Sequence, residues 1–224
     1  MDARMAENKK VIDLTMAISP DTRVYPGSPQ PSLGRYKTHR GQGVQVTRLD
    51  MSVHAGTHMD APRHFFPQGI SIDQLPLDKL MGEAVLLDLG YLAPGSRIEA
   101  PDLAPFTEKI RRGDIVVLHT AYEECADDDA YCFLAPEAAQ WLVDQGIKCL
   151  GIDSPSVDPL NRTGGPASRE THPAHHVVLG AGVPIVEGLV NLKSLPEGRF
   201  HFCCLPLSIA GGDGSPARAV AVLP

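Results

Sequence analysis

Short apolar runs separated by glycine- and proline-rich stretches dominate this 224-residue chain, and they predict many strands with few helices. Val11-Ile-Asp-Leu14 reads as a short strand. It runs into a stretch from Ser19 to Gly34 with prolines at 20, 26, 29 and 31, which must be loop or edge structure because proline breaks helices and sheet ladders. Val44 to Val53 lacks Gly and Pro, and its Val and Thr content reads as a strand entering a histidine-rich segment. Glu83-Ala-Val-Leu-Leu-Asp88 and Asp114-Ile-Val-Val-Leu-His119 read as buried strands. Pro136 to Gln145 reads as a helix, with Pro at its first position and Gly146 as its stop. Cys149-Leu-Gly-Ile-Asp153 continues a β-α-β rhythm. A second helix over about 172–180, a strand Val183 to Glu187, and closing strands over about 199–207 and 217–223 complete the reading. No repeat and no long linker divides the chain. The expected organisation is one strand-rich α/β domain over residues 11–224, preceded by a frayed segment over residues 1–10.

Composition narrows the function classes. With 43% hydrophobic and 21% charged residues, the chain is ordinary for a globular protein. Its formal net charge is −7 and no run of Lys or Arg exceeds two residues, which argues against nucleic acid as a partner. The five cysteines, at 125, 132, 149, 203 and 204, show no Cys-x-x-Cys spacing and read as reduced thiols. Cys203 and Cys204, neighbours in a strand, are expected on opposite faces. The polar N-terminus lacks a secretory apolar core, and no apolar stretch approaches the ~20 residues that span a bilayer. A soluble, cytoplasmic protein with no membrane partner is expected.

Six of the nine histidines fall in two windows, 54–64 and 172–176. In the first, His54, His58, Asp60 and His64 occupy even positions, and an extended chain would turn them to one face. A straight strand would hold the Cα atoms of His54 and His58 roughly 13 Å apart, so the backbone must bend between them for both to reach one ion. Gly56 sits where a bend is cheapest. A surface loop that happens to hold histidines is the competing reading. Two imidazoles and a carboxylate suit Zn²⁺ or Mn²⁺ and leave coordination positions open.

The second window offers His172, His175 and His176 on one side of a helix, followed by Glu187 inside an apolar run. A bare carboxylate there is costly unless paired or metal-bound, and a salt bridge near a strand end remains an alternative. His176 reads as a helix-face residue. Asp153 and Asp158 end a strand near turns, and turn capping accounts for them. No Gly-x-Ser-x-Gly elbow, P-loop or dinucleotide fingerprint appears.

The segment His54-Ala-Gly-Thr-His58-Met-Asp60-Ala-Pro-Arg-His64 resembles the histidine motif of the cyclase family of metal-dependent hydrolases, which includes bacterial kynurenine formamidase and isatin hydrolase. Other segments look similar in the same order: Val24-Tyr-Pro-Gly27, Gly151 to Asp158, His175 with Ile185 to Leu192, and Asp213 to Arg218. The resemblance implies a swivelling β/β/α domain, a homodimer or homotetramer, and two divalent ions per chain, Zn or Mn. By motif position His54, His58 and Asp60 would hold the first ion, Asp60 would bridge, and His175 and Glu187 would hold the second. His64 would be the general acid/base, and Tyr25 would contact substrate. The implied reaction is attack of metal-activated water on a small amide, arylformamidase-like, taking N-formyl-L-kynurenine to L-kynurenine and formate. Opening of a cyclic amide such as isatin, or metal binding without catalysis, are the alternatives.

Overall fold

The computed structural model describes residues 9–25, 27–127, 129–161 and 165–223. Most of the expected frayed segment, residues 1–8, lies outside these. The strands in chain order are β1 (Val11–Asp13), β2 (Ser32–Lys37), β3 (Val46–Asp50), β4 (His58–Asp60), β5 (Met81–Asp88), β6 (Arg97–Ile98), β7 (Ile115–His119), β8 (Phe133–Leu134), β9 (Cys149–Ile152), β10 (Ile185–Glu187), β11 (Arg199–Pro206) and β12 (Gly214–Val222). The helices are α1 (His39–Gln42), α2 (Ala100–Leu103), α3 (Pro136–Asp144) and α4 (Pro173–Gly180).

The principal sheet runs β1-β12-β11-β5-β7-β9-β10-β4, and β4 also pairs with β12. That last pairing closes seven strands into a barrel-like sheet, with β1 added to the far end of β12. The central strands β5, β7, β9 and β10 run parallel, as strands joined by crossovers must. β7 shows why an unbroken apolar run belongs there. Val116 and Leu118 face a core shared with Ala138, Ala139 and Leu142 of α3 and with Ala174 and Val178 of α4. Ile115 and Val117 face a second core, enclosed with Met59, Val186, Phe200, Phe202 and Ala219. These four side chains are fully buried, each worth about 1.5–3 kcal/mol. The expected strand-rich α/β class holds, as does α3 with Pro136 at its start and Gly146 past its end at φ +75°. Cys204 is buried while Cys203 is half-buried, as their neighbouring positions require.

The stretch before the histidines departs from the sequence reading. The expected strand over residues 44–53 shortens to β3, which pairs with β2 in a separate hairpin whose strand residues are all exposed. It therefore does not run into the histidine segment. The chain turns at Val53 and His54 and then forms β4, too short and too polar to register as a strand by its residues. β2 also begins at Ser32, inside the proline-rich stretch, directly after its last proline. As an edge hairpin it is compatible with that neighbour.

Two glycines allow the chain to close around β4. Gly56 has φ +67°, so the bend expected between His54 and His58 is present. Gly188, immediately after β10, has φ +66°, and a Cβ there would lie 2.9 Å from the Gly56 carbonyl oxygen. Gly188→Ala thus adds left-handed strain of about 1–2 kcal/mol and a contact with unyielding backbone. We expect a loss of at least about 2 kcal/mol, or a fall in Tm of about 4–8 °C for a chain this size, measured by calorimetry. A Tm within about 1 °C of the parent would show that the two loops can separate freely.

Candidate active site

β4 and β10 build the floor of the site. Their antiparallel register sets Glu187 directly opposite His58, so the two side chains share a face, and the period of two puts Asp60 on that face as well. His58 Nε2 lies 3.4 Å from Asp60 Oδ1 and 3.4 Å from Glu187 Oε2. The Gly56 carbonyl lies 2.9 Å from His58 Nδ1, which fixes that ring from behind. The N-terminal turn of α4 brings His175, with Nε2 3.3 Å from Asp60 Oδ2 and 3.4 Å from Glu187 Oε1. His54 arrives from the turn before Gly56, with Nδ1 2.7 Å from Asp60 Oδ1 and Nε2 2.7 Å from Asp213 Oδ2.

His64 completes the group from a different local structure. The even-position argument placed it on an extended chain, but Pro62–His64 forms a 3₁₀ turn led by Pro62. That turn stacks the His64 ring on His54, with centroids 4.0 Å apart, and sets Nδ1 3.5 Å from Asp213 Oδ2. Extended geometry therefore explains only His58 and Asp60; turns deliver the other two. All six expected residues, His54, His58, Asp60, His64, His175 and Glu187, meet at one place. Potential ligand atoms of His54, Asp60 and His64 lie within 4.8 Å of one another, as do those of His58, Asp60 and Glu187. Asp60 belongs to both sets.

The electrostatics describe a cluster built for positive charge. Asp60 and Glu187 are buried side by side, and their charge partners are imidazoles: Glu187, the last residue of β10, pairs with His58 and His175. Burial disfavours charging His54, yet the Asp60 charge and the bonds to Asp213 and Asp60 raise its pKa to about 9. Burial likewise opposes protonation of His58, but Asp60 and Glu187 raise it to about 10. His175 moves well upward against its burial through Asp158, Asp60 and Glu187. His64 behaves oppositely: burial, helped by the charges of His54 and His175, lowers it to about 4, so it is neutral near pH 7. Imidazoles facing two desolvated carboxylates form a nitrogen and oxygen donor set that fits a divalent ion such as Zn²⁺ or Mn²⁺.

Two carboxylates not assigned from the sequence also touch this group. Asp213 is one, through His54 and His64. Asp158 is the other, fully buried, where it accepts from the backbone N–H groups of Ala174 and His175 and lies 2.7 Å from His175 Nδ1. Local turn capping does not describe it; it caps α4 from sixteen residues upstream. Asp153 does hold a turn, accepting from the Thr120 and Tyr122 backbone. His176 packs on Phe65 and Phe66, a helix-face position. A cavity of about 210 Å³ opens onto the histidines, lined also by Tyr25, Ser28, Ser52, Ser156 and His172. The Tyr25 hydroxyl accepts from the Asn161 N–H, which holds its ring at the wall. Among the described residues, no helix is long and apolar enough to cross a membrane.

Residues 12–159 match the family model Cyclase, described as "Putative cyclase". The chain is 37% identical over 216 residues to a kynurenine formamidase of Salinibacter ruber, covering 94% of this chain and 96% of that protein. A solved structure titled as a potential metal-dependent hydrolase with cyclase activity is 34% identical, with a TM-score of 0.79, over 96% of this chain and 98% of the other. Isatin hydrolase A from Labrenzia aggregata shares the fold at a TM-score of 0.85 and 24% identity, over 96% of this chain and 94% of the other. With its histidine motif folded into one cluster and matches that run along nearly its whole length, the chain belongs to the Cyclase family.

Proposed function

We propose that this protein is a metal-dependent hydrolase acting on a C–N bond of a small aryl amide, with N-formyl-L-kynurenine as substrate and L-kynurenine and formate as products. The observation that carries the reading is the arrangement at Asp60. Three imidazoles face its two oxygens, and a neutral fourth, His64, stacks beside them at the cavity. Similarity to kynurenine formamidase supplies the substrate class. His54, His58 and Asp60 would hold one ion; His175 and Glu187, sharing Asp60, would hold a second. Bound there, divalent ions supply Lewis acidity and make water a nucleophile near neutral pH.

The chain's own residues do the rest. Asp60 and Glu187 keep the imidazoles turned inward. His64, with Nδ1 towards Asp213, leaves Nε2 to take a proton from the attacking water and return it to the leaving nitrogen. Its depressed pKa keeps it in the base form across neutral pH. Tyr25 gives a flat ring wall for an aryl substrate. The exposed apolar side chains of the β2–β3 hairpin, among them Leu33, Val46 and Leu49, support the homo-oligomer implied by the resemblance.

Metal analysis after dialysis tests the centre. The parent should carry about two ions per chain and lose activity with chelator. Asp60→Asn should carry almost none, because the charge facing both ion positions is gone, and Glu187→Gln should keep about one. Parent-level metal and activity in Glu187→Gln would sink the two-ion arrangement.

His64→Ala should keep the metal and lower kcat by about 10²–10⁴ on the best substrate from a panel of formyl anilides, isatin and lactams. Loss of metal instead would make His64 a ligand, and turnover confined to isatin would move the substrate to a cyclic amide. Light scattering in solution should give a mass above the 24.0 kDa chain; a monomer at micromolar concentration would refute the oligomer.

A further inference from the structure

The cluster is the middle of a longer chain of alternating acids and imidazoles: Asp213, His54, Asp60, His175, Asp158. Its spacings are 2.7 Å from Asp213 to His54, 2.7 Å from His54 to Asp60, 3.3 Å from Asp60 to His175, and 2.7 Å from His175 to Asp158. Each Asp60 oxygen thus faces an imidazole whose far nitrogen is gripped by a second carboxylate. Among the described residues His58 has no such partner; the Gly56 carbonyl stands behind it. A carboxylate behind an imidazole fixes its tautomer and orientation and strengthens the nitrogen on the other side as a donor.

We propose that Asp158 and Asp213 are positioning residues that govern the two ion positions separately, Asp158 through His175 and Asp213 through His54. The inference rests on the two-ion reading above. The two ends of the chain differ in ways that matter for the outcome. Asp158 is 0% exposed, and both its oxygens are committed, one to the Ala174 N–H and the other to the N–H and ring of His175. An amide in its place has one acceptor oxygen and no charge: turned to His175 it presents its NH₂ to the Ala174 N–H, and turned to Ala174 it presents that NH₂ to the His175 N–H and ring. The Asp213 side chain is 48% exposed, and it also faces His64. Water can replace part of what it supplies, so its loss costs less.

The test is stepwise binding of Zn²⁺ alone, and separately Mn²⁺ alone, to metal-stripped protein, followed by calorimetry or equilibrium dialysis. Parallel melting is run in chelator. If the parent takes up two ions, Asp158→Asn should weaken one of them about 10–100-fold and leave the other within about threefold. Asp213→Asn should weaken the other by a smaller factor, and the double variant should weaken both. The inference is overturned if both single variants keep both affinities. It is equally overturned if each weakens both ions together in proportion to its lost melting temperature, because that is what a purely structural role gives. Should Asp158→Asn fail to fold, Asp213→Asn, at the half-exposed end, still decides: selective weakening of one ion supports the proposal, and unchanged binding refutes it. A parent that takes up a single ion instead refutes the two-ion reading. In that case weakened binding in only one of the two variants would still identify which imidazole is governed, and no effect in either would remove the positioning roles as well.

Discussion

The structure depends on one buried carboxylate and the groups that offset its charge. Asp60 is fully buried, and desolvation alone would push it towards neutrality. The charges and hydrogen bonds of the surrounding imidazoles reverse that and hold its pKa well below the usual range. Every nearby element is arranged to serve this requirement. β4 places it, β10 sets Glu187 one strand away, α4 presents His175 end-on, and the two turns on either side of β4 supply His54 and His64. Removing any one of these leaves a buried charge short of a partner, which costs far more than the lost contact itself.

The closed sheet is what makes such a requirement sustainable. β4 is only three residues long, yet both its edges are paired, one to β10 and one to β12. A strand this short has no independent stability, and its polar residues contribute little apolar burial. It is held by partners whose stability comes from elsewhere: β10 from the parallel core, and β12 from its long pairing with β11. The arrangement separates the work of folding from the work of the site.

How much of this was legible in the sequence follows from the same separation. The parallel strands and α3 were readable because apolar runs and end signals are local and strong: Ile115 to Leu118 bury on both faces, and Pro136 and Gly146 mark the helix. The bend at Gly56 was legible because reach demanded it. β4 was not, since its strand character comes from pairing and not from its residues. The hairpin of β2 and β3 was misjudged because a Val- and Thr-rich run looks the same whether it joins the main sheet or stands apart from it. The inner residues were found because His and Asp cluster by spacing, with family resemblance supplying their partners in the second window. Asp158 and Asp213 have no such spacing. Asp158 lies in a stretch where Asp, Ser and Pro suggest a turn, and Asp213 sits among glycines, so only the fold reveals that one reaches His175 and the other His54.

The contact between His54 and Asp213 spans 159 positions of the chain. That separation carries a consequence for the order of events during synthesis. A ribosome releases the histidine motif early, but β4 has no second edge partner until Gly214 to Pro216 have emerged. The parallel core can form before then, because its strands and both long helices lie upstream of residue 188. Long-range closure is slow, as its loop entropy must be met before any contact rewards it. Before then the nascent chain holds His54 and His64 without the Asp213 carboxylate that both face. That flank of the cluster is completed only when β12 docks beside β4.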